Sequence, residues 1–167
     1  MNSNSTAVRA GTGAVAGLAA TMVLHPLRKA TEEKLPQLSP PMREDPGKFM
    51  FEQAKRALPE NARAKVPQPL EKAAIKSLHL GYGTTFGMLY ALVRRQQGNV
   101  VIDGALLGLV TWATGYLGWL PATKLTTPVT RQKQAQVITP ILQHIVFGIA
   151  AVSVLAGIRR ALAARSG

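Results

Sequence analysis

The 167-residue chain has no cysteine, so disulfides and thiolate metal sites are excluded and composition says nothing of the redox compartment. Acids are scarce, with eight Asp and Glu against twenty Lys and Arg, for a net charge of +12. Such a charge would ordinarily suggest nucleic acid. Aromatics are only 5% of residues, however, and they sit in apolar stretches instead of alternating with basic side chains as stacking platforms, so no nucleic-acid partner is expected. The sequence also lacks a serine nucleophile elbow, a Walker loop and a HExxH helix, and its glycines have no flanking strand and lysine to cradle phosphate. It is therefore read as a non-enzyme that needs no cofactor or metal.

What the chain does have is long runs without charge. Ala10 to Leu24, Leu78 to Val93, Val100 to Ala122 and Val137 to Ile158 together carry one acid or base besides histidine, Asp103. Each is close to the length that crosses a bilayer, and none shows the one-sided stripe of a helix in a water-soluble core. The expected fold is all-α, a single membrane domain over residues 1–167 built as an integral bundle of four transmembrane helices. The spans are placed at about 10–27, 76–94, 100–122 and 137–159. The third ends on "GYLGWLP", where Trp119 would sit at headgroup depth with its N–H in water. Arg9 precedes the first span and no small-residue cleavage site follows, so that span reads as an uncleaved anchor.

A long basic connection, 28–75, separates the first two spans, and seven of the eight acids lie there or at its edges. Within it, "GKFMFEQAKRAL" sets Phe49, Met50 and Leu58 among Lys48, Lys55 and Arg56, a pattern that suits a short helix on a membrane surface or a solvated loop helix. Asp103 lies near Arg94 and Arg95, where an exposed interfacial ion pair is the ordinary outcome.

Glycines recur four apart: Gly13 and Gly17, Gly83 and Gly87, Gly104 and Gly108, with Gly148 and Ala151 as a weaker strip. Each pair opens a flat groove on one helix face, used for packing inside the bundle or between copies. If the chain crosses alternately, His25, His79, Trp119 and His144 fall on one side of the membrane. Together with Tyr82 they form the candidate pocket, in which His79 and His144 face each other across the interior. Three readings of the histidines stay open: helix-bridging residues, a proton- or ligand-responsive pocket, and a haem held by His79 and His144.

"HLGYGTTFGMLYAL", "GALLGLVTWATGYLGWLP" and "QHIVFGIAAVSVLAGIRR" together resemble the YagU-like group of small bacterial inner-membrane proteins of unknown function. His79, Gly83, Gly87, Tyr90, Gly104, Gly108, Trp112, Pro121, His144 and Gly148 carry the likeness, over roughly half the chain. The resemblance implies a multi-pass protein of the bacterial inner membrane with both termini cytoplasmic, and it implies no reaction. Charge points the other way: Arg9, Arg94, Arg95, Arg159, Arg160 and Arg165 are the only six of the twenty basic residues on the terminal side. The function read from all this is an accessory or interaction component of the membrane; a small transporter or proton-linked protein is the alternative, and a haem-binding electron carrier the third. The expected partners are a bilayer with anionic headgroups and either a second copy or a larger membrane complex.

Overall fold

A computed structural model describes residues 5–63, 65–96 and 98–165. Five helices organise them: α1 (Thr6–Lys34), α2 (Pro46–Arg56), α3 (Gln68–Val93), α4 (Val100–Ala122) and α5 (Gln134–Ala164). Among the described residues the extended backbone pairs only at an isolated bridge between Met42 and Thr126, so the fold is all-α. Three helices, α1, α4 and α5, are long and apolar enough to cross a membrane. α3 is as long as these, but Glu71, Lys72 and Lys76 charge its first turns.

The helices overrun the expected spans, and for identifiable reasons. α1 continues through Pro26 and beyond the expected end at residue 27. Its added turns are held by i,i+4 pairs, Arg28 to Glu32 at 3.0 Å and Lys29 to Glu33 at 3.7 Å. α3 begins at Gln68 with Pro69 in its first turn, where a missing N–H costs nothing. The connection therefore shrinks from 28–75 to 35–67, and it holds α2 and a helical turn at Glu60–Arg63. α5 gains a turn at each end.

α4 is α-helical to Ala113, π-helical over Thr114–Trp119, and bent at Gly118, where φ is −100° and ψ is −108°. It closes with Lys124 at φ 61°, while the Leu125 N–H reaches back to the Leu120 carbonyl at 2.9 Å. This is a Schellman end with lysine in the left-handed position that glycine usually takes. Contact between the buried Leu120 and Leu125 side chains accompanies it.

Two antiparallel pairs make the bundle, and glycine builds both. In the first, Gly13 and Gly17 of α1 lie on Gly87 and Gly83 of α3. A methyl added to Gly87 would lie 2.6 Å from the Gly17 Cα, and one on Gly13 would lie 2.5 Å from the Gly87 carbonyl oxygen. In the second, a methyl on Gly104 of α4 would lie 2.5 Å from the Ile149 Cα of α5, and one on Gly108 would strike the His144 carbonyl. The first helix of each pair carries the same motif, "GAVAGL" at Gly13 and "GALLGL" at Gly104. α1 then joins the pairs by packing on α5, through Ala20 with Phe147, Ala151 and Val152, and through Ala16 with Leu155.

α3 and α4 follow one another in the chain but barely pack, and the ties between them are polar. At the end of the bundle nearest the termini, Arg94 donates through Nη2 to Asp103 Oδ1 at 2.8 Å and through Nε to Oδ2 at 3.1 Å, and the Tyr90 hydroxyl donates to Oδ2 at 3.0 Å. The expected exposed ion pair is corrected here: Asp103 is only 5% exposed, and Arg94 alone of the two arginines pairs with it. Arg9 of α1 donates to the Ala91 and Leu92 carbonyls, open at the end of α3, and Arg159 of α5 to that of Arg94 just beyond it.

Glycine contacts of this kind give a direct test. Gly17→Ala, whose new methyl would strike the Gly83 carbonyl, should destabilise the purified protein by about 1–3 kcal/mol. Gly81→Ala, whose methyl meets nothing within 4 Å, should leave stability unchanged or raise it. Thermal unfolding midpoints in one detergent compare the two, and equal losses would contradict the register described.

Candidate functional site

At the opposite end of the bundle α3 and α4 diverge, and the gap between them is a cavity of about 490 Å³. Its walls carry all five residues of the candidate pocket: His25 of α1, His79 and Tyr82 of α3, Trp119 of α4 and His144 of α5. They arrive from four helices, and their depths differ.

His144 is deepest and only 8% exposed. It stands one turn before Gly148, on the strip that packs against α4, so its backbone is pressed on Gly108 while its ring turns to the cavity wall. Its Nδ1 lies 2.7 Å from the Pro140 carbonyl oxygen of its own helix, and the Tyr116 ring meets it edge-on at 5.8 Å. Tyr116 reaches that position from the π-helical segment of α4, as does Trp119. Trp119 packs on the cluster of Tyr116, Leu120 and Leu125, with its N–H buried. The expectation of an indole N–H in water is thus corrected: the π turn and the bend at Gly118 rotate the ring inward.

Tyr82 spans the gap. Its hydroxyl donates to the Thr111 carbonyl of α4 at 2.9 Å, the counterpart at this end of the Asp103 tie at the other. His79 stands nearer the mouth, where its Nε2 lies 2.9 Å from Asp45 Oδ1. Asp45 is also the N-cap of α2 and accepts from the Lys48 N–H at 2.8 Å. Gly47 sits against the imidazole, where a Cβ would lie 2.6 Å from His79 Nε2 and 3.1 Å from the Ile75 carbonyl oxygen. α2 docks its first turn against α3, with Phe49 turned to the Tyr116 cluster and Met50 in the cavity wall.

His25 is exposed and lies on the rim with Arg28. The rim is fixed from below by the connection, because the Arg43 N–H bonds the Leu125 carbonyl at 2.9 Å and the Thr126 hydroxyl bonds the Pro41 carbonyl at 2.9 Å. The charges at the mouth have partners: Arg28 pairs with Glu32, Lys29 with Glu33, and the Asp45 carboxylate meets the His79 ring and the Lys48 N–H. The inner end is apolar and closed by Phe147, whose ring abuts Gly83.

Sequence reading missed Asp45, Gly47, Tyr116 and Phe147. "DPGK" does announce an N-cap before a helix, but nothing local tells that this carboxylate meets a histidine far along the chain. Compared with protein-family models, with characterised proteins and with solved structures, the chain matches none.

Gly47→Ala tests the docking of α2. The added methyl should push the helix off His79 and α3, break the Asp45 pair, and speed tryptic cleavage at Lys48, Lys55 and Arg56 severalfold. Cleavage at the wild-type rate would mean that α2 is held by something other than this contact.

Proposed function

We propose that the chain is a non-enzymatic membrane protein of four spans, an accessory or interaction component that acts by binding through the cavity at the histidine end. α3 is taken as the fourth span on the strength of its packing: it lies glycine on glycine along α1, at about 39 Å for 26 residues rising 1.5 Å each. A helix in that register shares the depth of its partner. The arrangement suits the YagU-like group that the helical motifs resemble, in a bacterial inner membrane.

One observation carries the preference for binding over transport: the cavity is blind. Phe147 and Gly83 close it midway, and beyond them Ala16, Ala20 and Ala91, at most 1% exposed, fill the bundle. A conducting path needs free polar groups along its length. The hydroxyls of Thr84, Thr111 and Thr114 donate instead to the Leu80, Leu107 and Val110 carbonyls of their own helices, each at 2.8 Å, and Gln143 donates to Thr31 at 3.0 Å.

The four-span reading predicts that cysteines replacing Ser39 in the connection and Ser166, which lies outside the described residues, label from opposite sides of the membrane. Labelling of both from one side would overturn it, and the side on which Ser166 labels fixes the orientation. In liposomes, the purified protein should pass protons and small solutes no faster than empty vesicles. Faster flux would favour the transporter.

A further inference from the structure

Two polar groups of the cavity wall lack a hydrogen-bond partner among the described residues: the Trp119 N–H, a donor, and one ring nitrogen of His144. A carbonyl oxygen only accepts, so the contact with Pro140 assigns the proton of the neutral ring to Nδ1 and leaves Nε2 as a lone pair. No described residue donates to that lone pair, although the side chain is more than nine-tenths buried and forms part of the cavity wall. Nε2 is not sealed in the protein but open to the cavity, so a ligand entering there can reach it with a donor. The Trp119 N–H can donate to the same ligand's oxygen, while the hydroxyls nearby are engaged. Tyr82 gives its hydroxyl proton to Thr111, and the Thr111 hydroxyl donates to Leu107.

The remaining surroundings narrow the ligand. Because the charges at the mouth already have partners, a charged head would compete with a neighbouring side chain for each of them. The inner walls are aromatic, with Tyr82, Tyr116, Trp119 and Phe147 offering faces and edges to a flat ring. A volume of about 490 Å³ falls in the range of pockets for small organic ligands. We propose that this cavity binds an uncharged, ring-bearing amphiphile whose hydroxyl donates to His144 Nε2, the class of phenols and quinols. The proposal rests on the reading of the cavity as a binding pocket and adds to it the chemistry of the occupant.

Two probes decide the matter: 4-butylphenol and its methyl ether, 4-butylanisole, in which a methyl group replaces the hydroxyl proton. Each is titrated into the intact protein in nanodiscs of zwitterionic lipid while the emission of Trp119 and Trp112 is followed, with protein-free nanodiscs used to subtract partitioning. The phenol should half-saturate at about a tenfold lower concentration than the ether, the effect of one buried hydrogen bond. His144→Phe should weaken the phenol to the level of the ether and leave the ether unchanged, while His144→Gln, which keeps an acceptor, should retain part of the preference. Unfolding midpoints are measured beside each variant, and if His144→Phe fails to fold, the comparison on the wild-type chain still decides. Equal half-saturation by both probes would overturn the donor site and leave the pocket standing. Absence of saturable binding by either would overturn the pocket reading as well.

Discussion

Backbone touching backbone is the constraint from which the rest of this bundle follows. At Gly13, Gly17, Gly87, Gly104, Gly108 and Gly148 the helices approach so closely that a single methyl group would collide with a neighbouring carbonyl, nitrogen or Cα, and at Gly83 it would strike the Thr21 hydroxyl and the Phe147 ring. Apolar surroundings give little drive for helices to associate, so close van der Waals contact has to supply it, and contact is closest where side chains are missing. Two pairs cemented in this way use up the small-residue faces of their helices. The large side chains are left for the space between the pairs.

That space is unevenly filled, and the unevenness makes the cavity. α1 and α5 bring Ala20, Ala151, Phe147 and Val152 together and close the middle. α3 and α4, on the far sides of their partners, reach each other through polar side chains at two levels, Asp103 at one end and Tyr82 with Thr111 at the other. Near the termini the Asp103 tie is tight, because Arg94 and Tyr90 both converge on one buried carboxylate. At the histidine end a single hydroxyl spans the gap, and the π-helical segment turns aromatic rings into it without filling it. Such segments inside helices commonly mark functional places, and here the segment decides which residues of α4 face the pocket.

Much of this was legible in residue order. Runs free of charge announced the long helices, and glycines four apart announced their contact faces, because a helix brings positions i and i+4 to one side whatever it packs against. Reversal of direction at each connection put His25, His79, Trp119 and His144 at one end. The resemblance of "GAVAGL" to "GALLGL" was also there to be read as two equivalent pairs, and was not. Helix ends were read too short because charge was taken to end a helix. In α1 the charged turns beyond Pro26 continue it through their own ion pairs.

The sequence by itself determined that the chain is helical, where its helices run, which faces are smooth enough to meet, and which end carries the histidines. These are properties of periodicity and composition, set within a few turns. Only the tertiary structure decided the pairing of α1 with α3 and α4 with α5, the burial of Asp103 by Arg94 and Tyr90, the inward turn of Trp119, and the docking of Asp45 and Gly47 on His79. It alone left His144 with one nitrogen engaged and one open. Each of these depends on which of several equally smooth or equally polar surfaces come together, and that choice is made by distant segments competing for the same contacts, which local spacing does not encode.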